Sequence, residues 1–181
     1  MRVSILWISI SLSYSTTTHS RPAKMSHKGV REYTNPAIYD DHHKEFQKQG
    51  LPSGQAEWVE RARQVAVILS QDAPQRDIVN KAPAAEVSLL KSSGLLKVLG
   101  PKVYGGGGQS WDTAYKTIRE VAKADGSIGM LLGYHLLWST TANVVGTEDQ
   151  AKSVQKVLIE QNLVRLSEFQ KYKPSCLTIL L

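Results

Sequence analysis

Ile128-Gly129-Met130-Leu131-Leu132-Gly133-Tyr134-His135-Leu136-Leu137-Trp138-Ser139-Thr140-Thr141-Ala142-Asn143-Val144-Val145 is the stretch whose reading decides the fold. It carries no charge and shows no alternation of apolar and polar residues. It is apolar nearly all round, the mark of a helix buried inside a bundle. Ser127 can cap its start and Gly146 ends it. Polar residues interrupt it, so it is not the uninterrupted run of about 18 apolar residues that a membrane-spanning helix needs.

The neighbours repeat the helical period. Ser110 or Asp112 can cap a helix whose face is Trp111, Tyr115, Ile118 and Ala122, and Asp125-Gly126-Ser127 breaks it. Downstream, Thr147-Glu148-Asp149-Gln150 fits a capping box that opens a helix through Val154 and Leu158. Upstream, Trp58, Ala62, Val65 and Leu69 share one helical face from Gln55 onward, and Pro74 ends that pattern. Pro83 suits the first turn of a further helix, AAEVSLLKSS, which Gly94 closes. Five helices with short links predict an all-α helical bundle over residues 54–171. Residues 25–54, with Asn35-Pro36, Gly50, Pro52 and Gly54, read as an extended lead-in, and 1–53 as a whole is expected to be mostly unstructured. Residues 172–181 form an atypical tail.

Charge is distributed unevenly. The 181 residues hold 22 Lys and Arg against 16 Asp and Glu, a net +6. Five of those basic residues and no acid lie in 1–31, leaving 17 basic and 16 acidic residues elsewhere. The folded part therefore has no basic face for nucleic acid. Ten of the first 31 residues are Ser or Thr. This segment reads in three ways: a secretory signal, an organelle transit peptide, or residues upstream of a start at Met25. A cytoplasmic location is favoured, and a mitochondrial one follows if 1–31 is a transit peptide. A single Cys, Cys176, excludes an intrachain disulfide framework and a Cys-rich zinc site.

Several motifs fail on their own chemistry. Gly105–Gly108 is followed by Gln109-Ser110-Trp111, not the Lys and hydroxyl of a phosphate loop, so an open turn beside a ligand at most is expected. Asp125 stands where a nucleophile elbow needs Gly. Adjacent His42 and His43 lack the spacing of paired metal ligands. Tyr134 and His135 are different. Two polar rings in the most apolar helix must find partners or face a cavity, because an unpaired buried ring costs about 1–3 kcal/mol. The residue pattern alone leaves both outcomes open. Trp138, four residues on, widens the aromatic face.

Three stretches carry a family resemblance: Ser93-Gly94-Leu95, Pro101 to Gly106 (PKVYGG) and Ala124 to Gly129 (ADGSIG). With them, residues 84–150 resemble the N-terminal helical domain of the acyl-CoA dehydrogenase superfamily. Gly133-Tyr134-His135-Leu136 is similar to the branch of dibenzothiophene monooxygenase and related desulfurisation flavoenzymes. The resemblance implies a flavin-dependent oxidoreductase, dehydrogenase or monooxygenase, with a small-molecule substrate. It further implies FAD, alternatively FMN, held mainly by a β-domain and C-terminal helices that also form the homo-oligomer. Tyr134 and His135 are then expected at the flavin and substrate pocket, with Tyr104, Gly105 and Gly106 in an adjacent loop and no metal. The chain alone is expected to be inactive and not to bind flavin tightly. A cofactor-free helical interaction module is the alternative.

Overall fold

A computed structural model of the chain describes residues 32–162 and Val164. Among these residues the regular structure is helical: α1 (Asp40–Gln49), α2 (Gln55–Ser70), α3 (Ala73–Val79), α4 (Ala84–Ser92), α5 (Trp111–Ala124), α6 (Gly126–Thr140), α7 (Ala142–Val145) and α8 (Glu148–Glu160). The all-α expectation is met. Trp58, Ala62, Val65 and Leu69 of α2 are all buried, and they meet Leu89 and Leu90 of α4 and Leu132 and Leu136 of α6 in one core. Each such leucine contributes about 1.5–3 kcal/mol by leaving water. The capping box at Thr147 and Gln150 forms as expected, both bonds present.

The lead-in departs from its reading. Residues 36–39 make a 3₁₀ turn, capped by Asn35, and run into α1. The helix is charged on most faces, which is why its pattern is weak. Two residues, Tyr39 and Phe46, spaced seven apart, anchor it in the core. Phe46 lies under the Arg61 guanidinium, 4.9 Å from ring centroid to Cζ. The expected disorder of residues 1–31 and the tail at 172–181 lie outside the described residues.

Other differences have local causes. Pro74 does not only stop α2; it sits in the first turn of α3, where a missing N–H is harmless. The long apolar helix breaks at Thr141 into α6 and α7. Asp125, not Ser127, caps α6, accepting from the Ile128 amide at 3.0 Å. On α5 the buried face is Thr113, Ala114, Thr117 and Val121, whereas Tyr115 and Ala122 are exposed. Threonine can turn inward here because the Thr117 hydroxyl donates to the Ala114 carbonyl at 2.7 Å. Helices α5 and α6 pack tightly: a Cβ on Gly129 would collide with Ala122. Glycine is needed there for approach, not for backbone freedom.

Candidate functional site

Helix α6 has two unlike sides. Ile128, Leu132, His135, Leu136 and Ser139 face the core. Met130, Tyr134 and Leu137, one turn apart in succession, stay exposed, and Val144 and Val145 of α7 are exposed beyond them. No charged side chain occurs between Gly126 and Gly146. The expectation of burial all round is thus half met. Several polar side chains along this segment are engaged nearby. Ser139 donates to the Leu136 carbonyl at 3.0 Å, Thr141 to that of Leu137 at 3.2 Å, and Gln155 of α8 donates to the Asn143 side chain at 3.4 Å. Trp111 and Tyr115 of α5 add a tilted ring pair with centroids 5.3 Å apart.

The two singled-out rings go separate ways. Tyr134 is 46% exposed, its ring on the apolar outer face. His135 is 2% exposed, and its Nε2 donates to the Leu96 carbonyl at 2.9 Å. That bond joins α6 to the turn Leu95–Lys97.

Tyr104 is half-buried at the end of the short 3₁₀ turn Lys102–Tyr104, and Gly105 follows it with φ +83°. Gly106 is buried with no room for a Cβ beside the Gly100 carbonyl. The glycine run is tied down, not open. Its amides return to residues 97–101: Gly106 to Pro101 at 3.0 Å, Gly107 to Lys97 at 2.8 Å, and Gly108 to Gly100 at 2.8 Å. With those donors engaged, no amide cradle is left for phosphate.

Sequence reasoning missed an ionic knot at the start of α6. Arg76 of α3 donates to Asp125 and to the Leu69 carbonyl, each at 2.8 Å, and pairs with Asp72. Its Nε lies 3.6 Å from Glu86, a fully buried residue of α4. Thr34 donates to the other Glu86 oxygen at 2.7 Å. Burial opposes the Arg76 charge, but the bonds to Asp125 and Tyr39 outweigh it and hold the group above its ordinary range. Burial also raises the Tyr39 phenol, against the pull of Arg76. A cleft of about 390 Å³ opens here, lined by Arg76, Asp77, Glu86, Asp125 and Ser127 among others. No spacing rule marks these residues, since they come from three separate helices and a cap. Among the described residues no group of His, Cys, Asp and Glu could hold a metal ion, and no helix is long and apolar enough to cross a membrane.

Comparison with known proteins gives these features a setting. Residues 52–161 match the acyl-CoA dehydrogenase N-terminal domain. Over 101 residues the chain is 38% identical to a dibenzothiophene monooxygenase of Rhodococcus erythropolis, covering 56% of this chain and 24% of that protein. A dibenzothiophene monooxygenase of Mycolicibacterium goodii is 36% identical over 104 residues, 58% of this chain and 25% of its own. A probable FMNH2-dependent monooxygenase of Pseudomonas putida is 37% identical over 89 residues, 49% of this chain and 22% of its own. The chain spans about a quarter of the length of the curated relatives it matches.

Proposed function

The chain belongs to the family of acyl-CoA dehydrogenase N-terminal domains, and on that premise we propose that it is the N-terminal helical domain of a flavin-dependent monooxygenase. Its outer α6 face would form one wall of the pocket. The observation that carries this reading is the uncharged stripe Met130, Tyr134 and Leu137, left exposed on a helix whose other side fills the core. A flat wall of that composition suits a planar, uncharged ring system, and the Tyr134 hydroxyl adds a single polar handle. The names of the relatives support a flavin-linked oxygenation of a small sulfur-containing aromatic.

The residues present fit contact with a flavin ring or planar substrate, but α6 offers no cation for a flavin phosphate. When bound, the flavin would supply the redox chemistry with oxygen. Met130 and Leu137 would exclude water from the rings, and Tyr134 would orient the substrate or hold a proton at its hydroxyl. His135 would act from behind, fixing α6 to Leu96. Tyr104, with Gly105 and Gly106, would border this wall through the loop that the Gly106 packing holds rigid. The principal flavin contacts would come from sequence beyond the quarter represented here, so the isolated chain would bind flavin weakly and turn nothing over.

Flavin titration, followed by fluorescence quenching, tests this on the 181-residue chain and on a form extended to the relatives' full length. The expected result is saturable binding by the extended form alone, weaker than about 1 mM in the short one. Tight binding by the short chain would refute the division of the site. No flavin binding by either form would favour the helical interaction module, to which the same exposed stripe lends itself.

A further inference from the structure

A second, smaller cleft lies where the C-terminal end of α1 meets the C-terminal end of α4. It measures about 150 Å³ and is lined by Phe46, Gln47, Gly50, Leu51, Lys91, Ser92, Gly94 and Lys97. No acidic residue lines it. Lys91 and Lys97 are both half-buried, and neither has an acidic partner among the described residues, whereas Lys44, Lys81, Lys116, Lys123 and Lys152 each have one. Directly behind the wall sits Arg61, only 6% exposed. It donates to the Ser93 carbonyl at 3.0 Å, the Gly50 carbonyl at 3.1 Å and the Gln49 amide oxygen at 3.0 Å. It too lacks a carboxylate among the described residues. Two half-buried lysines thus line one recess, with Arg61 bonded to its Gly50 edge and stacked on its Phe46, and none of the three makes an ion pair among the described residues.

We propose that this cleft binds the dianionic phosphoryl group of a soluble phosphate ester. Lys91 and Lys97 act as point charges on its oxygens, the Gln47 amide donates alongside them, and the buried Arg61 supplies a fixed field through the wall. Ser92 is engaged already, lying 2.7 Å from His43 Nδ1 and donating to the Leu89 carbonyl at 3.1 Å, so it shapes the recess without meeting the ligand. The volume is well below the roughly 300–1,000 Å³ of sites that enclose a whole organic ligand. The recess therefore takes the phosphoryl group, and the rest of the ester projects into solvent. The site is independent of the α6 face and stands or falls without it.

The test uses the 181-residue chain and titrates inorganic phosphate, then methyl phosphate, at constant ionic strength set with chloride. Thermal unfolding should shift upward with either, in a saturable way that chloride does not reproduce. The double variant Lys91→Gln/Lys97→Gln should keep its unliganded midpoint and bind phosphate at least about tenfold more weakly, whereas Lys156→Gln should match the parent. Lysine acetylation read by mass spectrometry gives a check that needs no variant: phosphate should protect Lys91 and Lys97 and leave Lys156 unprotected. Equal shifts in the double variant, or equal acetylation with and without phosphate, would overturn the site. Binding to phosphatidic-acid vesicles without any response to the soluble phosphates would overturn the assignment to a soluble ester.

Discussion

The inner and outer faces of α6 are almost equally apolar, yet one is the centre of the molecule and the other faces water. Leu132 and Leu136 are fully buried in the core shared with α2, α4 and α5, whereas Leu137, the next residue in the chain, is half exposed. Hydropathy cannot tell these faces apart, because it records what each side chain prefers and not what is present to meet it. The difference teaches that the outer face is kept free of charge for a reason other than folding this chain. The clearest way to break the comparison is to truncate both sides. Leu132→Ala should cost about 3–5 kcal/mol, the upper range for a filled core site. Leu137→Ala should stay within about 0.5 kcal/mol, as at an ordinary surface position. Urea unfolding of both variants reads the two values, and equal losses would mean the outer face is covered in this chain after all.

Arg76 sharpens the same contrast from the end of the helix. It fixes Asp125, the cap of α6, while compensating the buried Glu86. Arg76→Met removes the cation and leaves the carboxylates of Asp72, Glu86 and Asp125 behind, so the expected loss is about 3 kcal/mol or more. Urea unfolding of the variant beside the parent reads the loss. A loss under about 1 kcal/mol would show that Arg76 acts through its packing alone.

Much of this fold is legible in the sequence. The buried face of α2, the helix α4 between Pro83 and Gly94, and the capping box at Thr147 all follow from local rules that act within one or two turns. The rest depended on distance. Helix α1 has only Tyr39 and Phe46 to declare it, and its support comes from Arg61 and Ser92, far along the chain. The α5 face was misread because Tyr115 and Ala122 look apolar in sequence, while Thr113 and Thr117 look polar. Thr117 sheds that polarity by bonding its own helix, which no apolar count registers. At the site, adjacency in sequence joined Tyr134 to His135, but neighbouring residues on a helix point about 100° apart. One turns outward and the other enters the core.

That divergence gives the last and smallest test. His135→Phe retains an aromatic side chain but removes the donor at Nε2, leaving the Leu96 carbonyl buried and unpaired. The expected loss is about 1–3 kcal/mol, the desolvation cost of one orphaned polar group. Tyr134→Phe removes a hydroxyl from a half-exposed ring and should change stability by less than about 0.5 kcal/mol. In a form extended to the relatives' length the order should reverse for chemistry: Tyr134→Phe lowers kcat/KM per folded molecule, and His135→Phe acts mainly through the folded fraction. Denaturant midpoints at constant slope, measured beside activity on the same preparations, separate the two effects. If Tyr134→Phe destabilises as much as His135→Phe and leaves turnover per folded molecule intact, the outer ring is a structural residue. The wall proposed for α6 would then lose its one polar group.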